Sequence, residues 1–196
     1  MNKNLTKITI TSGLILIFYH FFQWYLVEFL TPFAMPFLSI AIHGWFFVML
    51  ILTIIHVIKY KSWKPFIIQI TIIVIWLCTP FTLIYLQLDF IFYKENRKEV
   101  VELINRKELT PNINHDSSQI HLPERFAATS KGGGDVLIQH NKNGTLVFFF
   151  TYRGILDNFS GFIYTPNDIK PNKNDFNSEY KEITKIEKNW YYVTSY

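Results

Sequence analysis

Lys59-Tyr60-Lys61-Ser62-Trp63-Lys64 is a short basic stretch between two long apolar runs, Phe37–Ile58 and Pro65–Leu88. About 20 apolar residues are enough for a helix to cross a bilayer, and each run supplies them. A third run, Ile8–Leu30, precedes them. Thr31-Pro32-Phe33-Ala34-Met35-Pro36 separates the first two, because two prolines in six residues cannot sit inside one helix. Pro65 suits the first turn of a helix, where its missing N–H costs nothing. Backbone groups in lipid must be satisfied within the segment, so the runs are read as three transmembrane helices. The apolar stretch of the first is too long for a signal peptide, and no small-x-small cleavage pattern follows it, so it is expected to be retained.

Lysines set the expected orientation. Lys3 and Lys7 precede the first run, Lys59, Lys61 and Lys64 lie between the second and third, and the first connection has none. Basic residues favour the cytoplasmic side. Three spans then leave residues 89–196 outside, in a cell membrane protein with a cytoplasmic N-terminus. Trp24, Tyr25, Tyr60, Trp63, Tyr85 and Tyr93 stand where interfacial aromatic belts form.

Charge divides the chain in the same way. Residues 1–88 carry five lysines and one glutamate, and the other 28 charges, 14 of each sign, follow residue 88. The formal net charge of +4 therefore belongs to the membrane part. The remainder has no basic surplus with which to hold phosphates, so no nucleic-acid partner is expected. A single cysteine, Cys78, rules out an internal disulfide.

Ionisable residues inside spans are functional candidates. His20, Glu28 and His43 fall at neighbouring depths, with His43 between the other two. Such a cluster could bind a metal or relay protons. Without a ligand-spacing motif, the competing reading is that Glu28 reaches the interface and the histidines donate to helix carbonyls. Gln69 and Gln87 read as interhelical hydrogen bonds.

Asp89–Leu109 is charged yet helical in pattern, with Glu95/Lys98 and Glu102/Arg106 at favourable spacing and Thr110-Pro111 as its end. It reads as a stalk helix into which the third span could continue, with a solvated charged face and an apolar stripe that packs on the following domain, and residues 89–118 read as stalk and linker. From residue 119 the period becomes two. Asp135–His140, Thr145–Tyr152, Phe159–Thr165, Glu182–Glu187 and Trp190–Thr194 are expected strands, and Asn143-Gly144 marks a hairpin. Ile120–Phe126 could add an edge strand. The expected fold is thus a membrane α-helical part, 1–88, plus a small α+β domain with a mostly antiparallel meander sheet, 119–196.

Chemistry-bearing motifs are sparse there. Lys131-Gly132-Gly133-Gly134 lacks the context of a phosphate loop, and Ser160 has no nucleophile elbow. His115-Asp116 with His121 lacks metal-ligand spacing. Arg153-Gly154-Ile155-Leu156-Asp157-Asn158 is the compact polar cluster. Arg153, Asp157 and Asn158 could face a ligand; equally, an Arg153–Asp157 pair could close a loop in which Gly154 takes positive φ. Trp190, Tyr191, Tyr192, Tyr164 and Phe162 exceed what so small a core should hold. They are expected to form a surface aromatic patch, or else to pack on the stalk helix or headgroups.

The stretches Ile120–Pro123, Val147–Tyr164 and Asn189–Tyr192 resemble small uncharacterised bacterial membrane-anchored proteins with a C-terminal extracytoplasmic β domain. That resemblance covers the last third of the chain and implies an envelope location and a compact β domain, with no activity attached. The functional expectation is a non-enzymatic membrane protein, without cofactor, that presents an outer domain to an envelope or secreted protein partner, as an immunity-type protein would. The binding residues would be Arg153, Asp157, Asn158, Trp190 and Tyr192. The alternative is an ion-handling or metal-dependent membrane protein using His20, Glu28 and His43.

Overall fold

The computed structural model describes residues 3–114, 116–154 and 158–195. It divides into two compact units, Met1–Gln87 and Leu88–Tyr196. The first is helical: α1 (Lys3–Leu30), α2 (Met35–Tyr60), α3 (Lys64–Cys78) and the start of α4 (Phe81–Asn105). α1 and α2 are long and apolar enough to cross a membrane, with mean hydropathy of 1.4 and 2.3. A third crossing exists if α3 and α4 count as one broken span, giving two to three candidate spans.

The basic stretch behaves as a helix–helix corner. Lys61 takes a left-handed φ of 56°, and its N–H closes α2 on the Val57 carbonyl at 2.9 Å. Pro65 lies in the first turn of α3. The expected single helix over Pro65–Leu88 is corrected by Pro80, which that expectation passed over. Proline has no N–H and pushes its predecessor out of the helical region. Thr79 accordingly is extended (φ −89°, ψ 119°), and the helices on either side are bent by 55°. Beyond the break the apolar run continues into the charged helix, and α4 runs without interruption to Asn105. Lys107, with φ of 62°, ends it, and Glu108 N–H reaches back to the Leu103 carbonyl at 2.9 Å. This is the left-handed closure of a helix, formed before Thr110-Pro111.

α1 and α3 approach closely because small residues line the contact. A Cβ on Gly13 would stand 2.0 Å from Ile72 Cδ1. Beside it Gln69, fully buried, donates to Ser12 Oγ at 3.4 Å. Small residues with a polar bond are what helix packing in lipid relies on. Gln87, also expected to bond between helices, is exposed.

The second unit holds six antiparallel-paired strands, the five expected and an edge strand at the start of the Ile120–Phe126 stretch. They are β1 (Gln119–His121), β2 (Asp135–Asn141), β3 (Gly144–Arg153), β4 (Phe159–Tyr164), β5 (Tyr180–Glu187) and β6 (Trp190–Ser195), in the order β1-β2-β3-β4-β6-β5. The hairpin at Asn143-Gly144 forms, with Asn141 opposite Gly144. The sheet is not a simple meander, because β6 lies between β4 and β5. β4 and β5 therefore run the same way, and parallel strands need a crossover of a dozen or more residues. Residues 165–179 supply it. Gln139 pins this crossover, accepting from Phe176 N–H and donating to Asp175 Oδ1 at 3.3 Å. β5 is the outer strand, and its register against β6 is broken at two places.

β3 is buried on both faces because each has a cover. On one, Phe148, Phe150, Ile163, Tyr180 and Val193 form a core joined by Phe176 from the crossover. On the other, Phe90 of α4 packs against Phe162 and Trp190, with ring centroids 5.1 and 5.5 Å away. Of the two expectations for the aromatic residues, packing on the helix is the one seen for Phe162 and Trp190; these and Tyr191 are buried, and Tyr164 and Tyr192 are half-buried. The helix removes from water the rings that a bare sheet would expose.

The charged face of α4 needs a correction. Lys98–Glu95 and Arg106–Glu102 are solvated helical pairs, at 2.9 and 3.5 Å. Arg97 and Asp89, in the same run, have side chains only 0% and 1% exposed. Long helical side chains lean toward the helix N-terminus. Arg97 does so, donating to the Asp89 carbonyl at 3.1 Å and the Asp89 carboxylate at 2.5 Å. Its Nε donates sideways to the Thr129 carbonyl at 3.0 Å, and its plane lies 4.8 Å from the Phe162 ring centroid.

Removing one member of a buried pair strands the other charge, at a cost of about 3–5 kcal/mol. Arg97→Met should lower stability by that amount, and Asp89→Leu/Arg97→Met should recover most of it, as read by unfolding of the full chain in detergent followed by Trp fluorescence. A second expectation concerns Asp168, whose carboxylate is held below its ordinary value by Lys185 and then by Asn189 N–H. A depressed carboxyl stabilises the fold above its ordinary pKa of 3.8 and loses that contribution as pH falls through the lowered value. Asp168→Asn should flatten the acid limb of the stability profile.

Candidate functional site

The most connected exposed group lies at the β1 end of the sheet. β1 and β2 pair with His121 opposite Asp135, and Gln119 projects to the same side as His121. Asp135 accepts from His121 Nδ1 at 2.8 Å, Gln119 Nε2 at 2.6 Å and Arg153 NH1 at 3.2 Å. Its carboxylate is sheltered, at 14% exposure, while His121 and Arg153 are 62% and 45% exposed. The arrangement is a recessed anion holding an imidazole and a guanidinium outward. With Nδ1 engaged, Nε2 is the ring atom that a ligand would meet.

Local folding makes the group rigid. Gly132, Gly133 and Gly134 all have positive φ, and a Cβ on Gly132 would stand 2.9 Å from Arg153 Cβ. The three glycines form a fitted turn into β2. Ser130 Oγ donates to the Asp135 carbonyl and accepts from Phe150 N–H, tying the start of β2 to β3. Arg153 also lies over Phe150, 5.1 Å from its centroid. Gly154 is not in the positive-φ region. It is needed for room: its Cβ would stand 2.7 Å from the Asn158 carbonyl oxygen, which accepts from Gly154 N–H at 2.8 Å.

The sequence-predicted binding residues thus separate. Arg153 is exposed and bonds Asp135; Asp157 lies outside the described residues; Asn158 is exposed. Trp190 is interior, packed on Phe90, Phe149 and Tyr164. Tyr192 lies 5.6 Å from Phe162, and burial pushes its hydroxyl up, opposed by bonds to Ser160 and Thr151. Of the His115-Asp116-His121 reading, His115 is outside the described residues and Asp116 bonds Ser118. Gln119, His121 and Asp135 were missed as a group. Their link appears only through the pairing of a three-residue strand.

In the helical unit, His20 and His43 do meet. Their rings are 5.3 Å apart, edge to face, with Trp76 5.6 and 5.3 Å from each. His43 Nδ1–H donates to the Ser39 carbonyl at 2.8 Å, the structural role expected for a membrane histidine. His20 Nε2 is buried without a hydrogen-bond partner among the described residues. Glu28 is exposed, and no three His, Cys, Asp or Glu side chains gather as a metal-holding set among the described residues.

No protein-family model matches the chain, and no curated protein or solved structure matches it. The group offers an acidic or polar ligand charge-assisted bonds from Arg153.

An unpaired buried nitrogen costs about 1–3 kcal/mol. His20→Phe should therefore leave thermal stability in detergent unchanged or higher, whereas His43→Phe, which forfeits a bond, should lower it by about 1 kcal/mol.

Proposed function

We propose that this is a membrane-anchored recognition protein, whose sheet unit meets an envelope or secreted protein partner outside the cell through Arg153 and His121. The observation that carries the reading is the exposed Arg153–Asp135–His121 group, braced on three strands and built to present cationic and polar atoms. The matching ligand is a carboxylate-bearing surface on the partner. Trp190 and Tyr192 drop out as contacts because they are needed inside.

The outward orientation is supported by the lysines at the start of α1 and the end of α2, together with α3 and the start of α4 acting as one crossing. A reporter placed after Tyr196 tests this. An external signal fits the broken span; an internal one means that α3 and α4 turn back within the membrane, and overturns the reading.

A second reading, ion handling by the membrane part, draws on the meeting of His20 and His43. It requires metal that co-purifies with the wild-type protein and is lost from His20→Ala and His43→Ala. For the main reading, a photo-crosslinker at position 121 in native membranes should capture a discrete protein, and Arg153→Ala should abolish the adduct without changing thermal stability by more than about 0.5 kcal/mol, as for an exposed site. Undiminished capture by Arg153→Ala would remove this surface as the contact.

A further inference from the structure

Among the described residues, exposed apolar side chains in the second unit are concentrated at one place. Leu88, Ile91 and Phe92 of α4 are 62%, 70% and 79% exposed, against 42% and 38% for Ile169 and Ile186. At 100° per residue, positions 84, 88, 91, 92 and 95 share one face of the helix. That face is apolar through Phe92 and turns polar at Glu95. The opposite face carries Asp89, Phe90 and Arg97, all buried in the unit. One short segment is therefore wrapped by protein on one side and bare hydrocarbon on the other.

We infer that Leu88, Ile91 and Phe92 are immersed in the lipid acyl layer, so that the sheet unit is seated on the bilayer surface with the Asp89–Arg97 pair at headgroup depth. This rests on the reading that α3 and the start of α4 form one crossing. The occupant is lipid because the stripe continues an apolar run that is itself a candidate span. Geometry gives the depth. The 15 residues of α3 rise about 22 Å, short of the ~30 Å hydrocarbon layer. Past a bend of 55°, α4 advances roughly 0.9 Å per residue along the α3 axis. About nine more residues complete the crossing, which puts the boundary near Asp89. An oblique exit spreads that boundary over Leu88–Phe92. Tyr93, next in line, is a residue type favoured at the interface.

The test uses the full chain with Cys78→Ser, reconstituted in vesicles of equal parts phosphatidylethanolamine and phosphatidylglycerol. Single cysteines at Leu83, Leu88, Ile91, Phe92, Glu95 and Asn96 carry a polarity-sensitive fluorophore, with lipids bearing a quencher near the top of the acyl chain. Positions 88, 91 and 92 should show blue-shifted emission that is lost on adding quencher lipid, and positions 95 and 96 should not. If 83 is quenched while 91 and 92 behave like 96, the seat is overturned and the crossing stands. If 83 is also in water, the crossing falls and the seat with it. Ready disulfide formation between copies at Phe92→Cys would assign the stripe to a second copy and overturn the inference.

Discussion

The second unit depends on a charge that has no access to water. Arg97 sits between helix and sheet, bonded to the Asp89 carbonyl and carboxylate and to the Thr129 carbonyl, with an aromatic ring against its plane. A guanidinium in that position tolerates little displacement, since each lost partner leaves a desolvated donor. The helix can therefore sit on the sheet in only one way. Hydrophobic packing of Phe90 on Phe162 and Trp190 is less particular, because apolar surfaces slide at small cost. The ion pair supplies register and the rings supply area.

That division explains what the sequence could and could not reveal. Strand positions were readable because alternation and the Asn-Gly turn are local signals. The break in the third apolar run was readable too, from Pro80, but length and hydropathy masked it. The place of β6 was not, since nothing in Trp190–Ser195 says that it pairs with β4 as well as β5. Only the crossover, long enough to skip a strand position, hints at it. Arg97 was unreadable for a different reason. Its spacing to acidic neighbours is that of an ordinary solvated helix, and only the sheet and Thr129 reveal which member of the run is enclosed.

The candidate site follows the same logic. Arg153 drew attention by composition. One partner that sequence distance hides, Asp135, lies 18 residues earlier on a neighbouring strand. His121 joins through a three-residue strand too short to carry a periodic signal. In the helical unit, matching positions along two helices did bring His20 beside His43, because two helices joined by a short corner convert sequence distance into height. The same reasoning did not hold for Glu28, which belongs to an exposed face.

The position of β6 also dictates an order of assembly. β5 is made before β6, yet its ladder partner is β6 alone. Tyr180–Glu187 must wait as an unpaired segment until Trp190–Ser195 folds back on it across the Lys188-Asn189 turn. Such a hairpin closes within microseconds, whereas joining β4 requires the whole crossover to be brought to order. The β5–β6 pairing is thus the local one and its junction with β4 the non-local one, which carries the larger cost of chain closure.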